Sequence, residues 1–330
     1  MGSQHLLPVI FLLLVVQVDT DHAAITEPHI DATLPASNQL APGFWDHWGD
    51  GRAEIDGYSL TQPRYGELRR GTAVAIFVTE TMNASSRVKT DSLRPRDGIP
   101  VMKLNLLKDF QTGIYDYQTM LTVFWSLESH LDREPGSAAK AVFSSQEWCG
   151  QVFHEILPGR DDVHSISHSY FEGEGDQSLR IGRPADGILR DELFFLVRGF
   201  IVPGIERGDS IQRSLLTSLE TARLAHTDLT WQTVEIRRSS ETHGIDVAAG
   251  TFDVDRYSVG NADGNLLSID VEVAPPHRII RWETRAGEIA ELTGTTRVAY
   301  WQLQKTSDVT HLKDLGLAPP TSGAAGGFAP

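Results

Sequence analysis

The residues best equipped for covalent chemistry lie in one stretch, SSQEWCGQVFHE, residues 144–155. It holds Cys149, the chain's only cysteine, with His154 five residues later. A thiol activated by an imidazole needs the two groups within roughly 3 Å. On a regular strand through residues 147–154, side chains alternate between faces. Glu147, Cys149, Gln151 and Phe153 then share one face, and Trp148, Gly150, Val152 and His154 the other. Cys149 and His154 point apart on that strand, and Cys149 reads as a small buried hydrophobe. A bulge at Gly150 would shift the register, and another histidine could approach from elsewhere. A hydrolase or transferase using Cys149 with His154, His164 or His168 is therefore the alternative function; no catalytic residue is assigned.

His164 and His168 stand four apart in HSISHSYFEGE. On a helix that spacing suits two ligands of one metal. The β-forming residues Ser165, Ile166, Tyr170 and Phe171 favour a strand. There the two would be about 13 Å apart at about 3.3 Å per residue. Metal–nitrogen bonds of about 2 Å cannot span that distance, so no metal site is expected. EGEGDQ, residues 172–177, lacks the oxygen spacing of a calcium loop and reads as a solvated hairpin turn. G-x-S-x-G, H-E-x-x-H, the P-loop and the dinucleotide fingerprint are all absent, so no cofactor is expected. The acidic pairs Asp46/Asp50 and Glu54/Asp56 read as solvated surface rather than acid–base machinery. Asn83 opens the sequon NAS, which matters only in a glycosylating host.

Aromatic residues are more informative. Phe44, Trp45 and Trp48 cluster in FWDHWGDG, and Tyr115, Tyr117, Phe124 and Trp125 crowd one predicted strand. Such density either packs a curved sheet or lines a cavity for an apolar ligand. Tyr115, Tyr117, Trp125 and Trp148 are the candidate ligand contacts.

The elements that must position these residues are mostly strands. Apolar runs rich in β formers are separated by ETHG, NADGN, APP and RAG, and short connections of this kind make neighbouring strands antiparallel. One helix is predicted in PADGILRDELFFLVRGF, with apolar positions at 188, 189, 193, 196 and 197. The expected fold class is mainly β: a large curved antiparallel sheet or open barrel with one short helix. VPGIERGD, near residue 205, is a candidate sub-boundary.

The chain has 330 residues and a formal net charge of −15. That charge disfavours nucleic acid as a partner and a polybasic membrane contact. Residues 6–18 form an apolar core of signal-peptide length, short for a membrane span. The expected organisation is a signal peptide over 1–24, a linker over 25–42, a β domain over 43–304 and a disordered tail over 305–330. The protein is expected to be exported to the periplasm or the extracellular space, with an N-terminal membrane anchor as the alternative. Its expected function is non-enzymatic binding of an apolar or amphipathic small molecule or an envelope component.

GTFDVDRYSV and PPHRIIRWETRAGEIAELTG, within residues 250–294, resemble the C-terminal part of exported bacterial proteins of the DUF3108 family, which implies a large curved β sheet of unknown function. FWDHWGDGRAEIDGYSLTQPRYGELRRGTAVAIFVTE, TGIYDYQTM and SQEWCGQVFH resemble uncharacterised exported bacterial proteins that sometimes carry the label septum-formation inhibitor Maf. Maf proteins themselves are cytosolic α/β nucleotide pyrophosphatases with an N-terminal Ser-x-Ser-Pro-Arg-Arg-like motif. SLRPRDG at Ser92 only echoes that motif, and the β pattern opposes that fold. The resemblance carries no site residue to this chain.

Overall fold

The computed structural model describes residues 40–90 and 97–318. The expected signal peptide, most of the linker and Ser92 lie outside them. Eight strands follow one another as an antiparallel meander: β1 (Ala53–Arg64), β2 (Glu67–Asn83), β3 (Gly98–Thr112), β4 (Tyr115–Ser126), β5 (Ser137–Glu147), β6 (Gly150–Pro158), β7 (Asp162–Ser169) and β8 (Gln177–Gly182). A second set comprises β9 (Gly187–Leu189), β10 (Ser210–Leu216), β11 (Trp231–Arg238), β12 (His243–Val247), β13 (Gly250–Asn261), β14 (Gly264–Glu272), β15 (Ile279–Thr284) and β16 (Ile289–Val298). β11 and β12 pair with successive parts of β13. The first strand pairs with the last, so β1 and β16 join the two sets into one sheet. Every pairing is antiparallel except β9 with β10. The sheet ends at β8 and β9 and does not close. This is the curved, open-barrel β fold that the strand pattern predicts.

Period-two alternation builds the interior. Met102, Leu104, Leu106 and Phe110 of β3 sit opposite Trp125, Val123, Leu121 and Tyr117 of β4, and all eight are buried. Residues opposite each other in an antiparallel pair share a face, so these form one apolar stripe. The stripe curls around the segment after β9, a 3-10 turn (Arg190–Glu192) and helix α2 (Leu193–Val197). Phe195 stacks on Trp125 at 5.3 Å and meets Phe77 edge-on at 5.8 Å. Phe194 meets Trp282 at 5.2 Å. A helix apolar on every side is stable only when enclosed. The helix predicted here is shorter than PADGILRDELFFLVRGF suggests, because Gly187–Leu189 pairs with β10 instead. One end of the interior is filled by Phe200 against Phe44 and Trp48 of the short helix α1 (Phe44–Trp48).

Two elements depart from the sequence reading. SIQRSLLTSLETARLAH, residues 210–226, reads as a β run, but within it Leu219–Ala225 is a helix whose N-terminus is capped by the Ser218 hydroxyl, which accepts from the Thr221 N–H. The described part of the tail expected over 305–330 is structured. Thr306–Leu315 forms a 3-10 helix on the outer face, where buried Leu315 packs with Ala53, Ile55 and Val78. The Leu315 carbonyl comes so close to Gly57 that a Cβ there would lie 2.2 Å away. Only glycine fits beneath that crossing.

Candidate functional site

At the end of β1 opposite the Phe44–Trp48 cluster, the interior is not filled. A cavity of about 570 Å³ opens there. Its apolar wall includes Leu104, Leu106, Leu121, Phe194, Leu267 and Trp282. Leu219–Ala225 supplies another side through Glu220, Thr221 and Leu224. That helix is held by three tethers. The Asp191 carboxylate accepts from the Leu219 N–H at 3.1 Å, Lys108 reaches Glu220, and Arg64 donates to the Leu224 carbonyl at 2.7 Å.

Lys108 continues the inward phase of β3, so its ammonium enters the interior. It is 3% exposed and contacts Glu220 and Glu288, each at 2.7 Å. Trp282 Nε1 donates to Glu288 at 2.6 Å. Burial opposes the ammonium, but the two carboxylates outweigh it and hold Lys108 above the ordinary lysine range. The carboxylates are driven apart. Burial lifts Glu220 above the usual range despite Lys108. Burial acts on Glu288 as well, but Lys108 and the Trp282 donor together pull it below. Three arginines also line the cavity: Arg64, Arg190 and Arg285.

The sequence-selected residues lie elsewhere. Trp125 is core packing against Phe195. Tyr117 stacks on Phe110, and its hydroxyl meets those of Tyr65 and Arg64's guanidinium, so it backs the cavity rim from behind. Tyr115 bridges Tyr117 and Trp148, and Trp148 is exposed. None of the four lines the cavity. The acidic pair Glu54/Asp56, read as solvated, is fully buried, because both residues lie in phase with core Tyr58 on the inward face of β1, where Glu54 meets Arg198.

Cys149 is not a buried strand residue. Trp148 and Cys149 form the two-residue turn between β5 and β6, and Cys149 is exposed. Its backbone N–H donates to the Glu147 carboxylate at 2.8 Å, and Tyr170 donates to the same carboxylate at 2.5 Å. Hydrogen bonding to Glu147 pushes the thiol upward, the opposite of what an activated nucleophile requires. His154 lies inward on β6 beside the Ser165 hydroxyl at 2.7 Å, and burial lowers it to about 4, so it stays neutral. His164 meets Ser178 and His168 meets Asp176 on the outer strands. We expect Cys149 to alkylate with iodoacetamide at pH 7 no faster than an unstructured peptide thiol. Cys149→Ala should shift stability by less than about 0.5 kcal/mol, as for other surface substitutions. A rate tenfold above the peptide would show an activating group that this geometry lacks.

The cavity's charged residues come from positions 64, 108, 190, 191, 220, 285 and 288, which no motif links. The one local signal is Lys108 itself, a charge on the apolar phase of β3.

No family model matches the chain, and neither does any curated protein. Among solved structures it is similar to a beta-barrel-like protein of the domain of unknown function DUF1849 from Brucella abortus, at 6% identity and TM-score 0.42, covering 74% of this chain and 96% of that one. It is also similar to a DUF1089 family protein from Pseudomonas aeruginosa, at 14% identity and TM-score 0.33, covering 54% and 82%.

Proposed function

We propose that this protein is a non-enzymatic binder of a small apolar or amphipathic molecule, which it holds in the cavity beside the helix Leu219–Ala225. The observation that carries the reading is the 570 Å³ cavity with its leucine, phenylalanine and tryptophan wall. Sites for small ligands are mainly apolar clefts of roughly 300–1,000 Å³ with a few placed polar groups. The enclosed wall lets an apolar ligand leave water at about 0.8 kcal/mol per buried methylene. The Lys108–Glu220–Glu288 cluster supplies fixed polar atoms at one place in that wall.

The test is binding of N-phenyl-1-naphthylamine, a neutral apolar fluorophore, to wild type and to Leu106→Trp. Leu106 lines the cavity, and the larger ring occupies its volume. We expect wild type to enhance the probe's fluorescence and the variant to lose at least tenfold in affinity while its circular dichroism is unchanged. Equal binding by both proteins would place the probe elsewhere. Solvent extraction of the protein purified from its host, followed by mass spectrometry, then identifies the natural occupant.

The same reading places the protein outside the cytoplasm, in the periplasm or extracellular space, on the strength of the signal-like residues 6–18. N-terminal sequencing of the native protein should give a first residue between Asp21 and Ile25. Retention of Met1 or Gly2 in a cytosolic fraction would refute export, and retention in a membrane fraction would support the anchored alternative.

A further inference from the structure

We infer that the cavity takes an amphiphile with an anionic head, and that Arg190 is the residue that recognises the head. This inference rests on the cavity being a ligand site, and it adds the chemical class of the ligand.

The argument begins with charge. Acidic residues outnumber basic ones 44 to 29 in this chain, so arginines readily find carboxylates. Arg198, Arg207, Arg238, Arg256 and Arg278 each do. The three arginines of the cavity wall do not: among the described residues, Arg64, Arg190 and Arg285 form no ion pair. Arg64 donates to the Leu224 carbonyl and to the hydroxyls of Tyr65 and Tyr117. Arg285 donates to the Asp263 carbonyl. Arg190 makes no side-chain hydrogen bond to the described residues, although it is half-buried against an apolar wall.

Asp191 and Glu288 lie within electrostatic reach of Arg190, but neither forms an ion pair or a hydrogen bond with its guanidinium. Lys108 lies between Glu220 and Glu288, engages both, and offsets one of their two charges. The Asp191 carboxylate is occupied by the Leu219 N–H. A guanidinium presents a planar fork of donors that matches a carboxylate or a phosphate in a bidentate way. Partial burial strengthens that pairing relative to one in open water. The Leu104, Leu106, Phe194 and Leu267 wall then holds the apolar chain of the same molecule. Carboxylate and phosphate monoester heads share this chemistry.

The experiment measures displacement of N-phenyl-1-naphthylamine by four ten-carbon probes: decanoate, decyl phosphate, decanol and decyltrimethylammonium. Wild type, Arg190→Gln and Arg190→Lys are compared. We expect at least one anion to compete tenfold or more better than decanol, and whichever anion is stronger identifies the head. Arg190→Gln should remove that preference and leave decanol unchanged. Arg190→Lys should keep part of it. Unchanged thermal unfolding midpoints show that the variants are folded.

Decanol or the ammonium probe competing as well as the anions would overturn the head-group inference and leave the cavity reading intact. An anion preference that survives in Arg190→Gln would overturn the role of Arg190. If no probe competes and the fluorophore itself does not bind, the cavity reading fails and this inference fails with it.

Discussion

Arg198→Met lowers folding stability by about 3–5 kcal/mol, the usual cost of stranding a buried charge by removing its partner. Arg198 is fully enclosed and pairs with Glu54 at 2.6 Å. Its guanidinium lies over the rings of Phe77, Phe200 and Trp48 at 4.4, 5.0 and 5.3 Å, and it donates to the Pro276 carbonyl. Methionine fills most of the stem volume but strips Glu54 of its paired cation and leaves Glu54 and Asp56 enclosed with only the more weakly coupled Arg278. Burial, reinforced by Glu54, already pushes the Asp56 carboxyl well above its ordinary range, and Arg198 restrains that rise. A carboxyl raised in the folded state contributes stability below its unfolded value and loses it as pH rises through the folded value. Removing Arg198 lifts Asp56 further, so the deficit of the variant grows from pH 5 to pH 8. Urea unfolding at the two pH values measures this. Adding Glu54→Gln to Arg198→Met should recover part of the loss. A single variant within 1 kcal/mol of wild type at pH 8 would mean that water or backbone donors already solvate this cluster.

The same cluster shows what local sequence could and could not reveal. β1 alternates clearly through Glu54, Ile55, Asp56, Gly57 and Tyr58, and that alternation by itself reads as a strand. Which face is solvated depends on what covers it. Here the carboxylates point inward and the apolar Ile55 is covered from outside by Leu315. That cover arrives from more than 250 residues away, in a tail whose composition suggested disorder. Cys149 was misplaced for a different reason. A two-residue turn at Trp148 and Cys149 interrupts an otherwise continuous β-forming run, and neither residue is a turn former. The helix Leu219–Ala225 did have a signal in Ser218 followed by LETARLA, but it follows β10 without a glycine or proline to mark the change. The open-barrel class was legible because it needs only repeated strands and short connections. The cavity was not, because its walls come from β3, β4, α2, Leu219–Ala225, β14 and β15.

Lys108→Met carries the second large effect, and its pH dependence separates it from simple loss of packing. At pH 8 we expect a loss of about 3–5 kcal/mol, again because buried charge is left unpaired. In wild type, Glu288 is held below its ordinary value despite burial, chiefly by Lys108. Its contribution is present above the unfolded carboxylate value and is lost as pH falls through the folded value. Glu220 is raised and behaves in the opposite sense, losing stability as pH rises through its folded value. Without the ammonium, both carboxyls face each other in a largely buried site, and both rise. The variant is then least stable at high pH, and its deficit should be clearly smaller at pH 5, where the pair can hold a proton. A triple variant with Glu220→Gln and Glu288→Gln should remove most of the pH dependence, since neither amide can ionise and a glutamine oxygen can still accept from Trp282. The same change alters binding: two uncancelled carboxylates beside Arg190 should weaken decanoate more than decanol. A deficit that stays constant from pH 5 to pH 8 would show that Lys108 acts through its methylene stem alone, and the electrostatic account of the cavity floor would have to be given up.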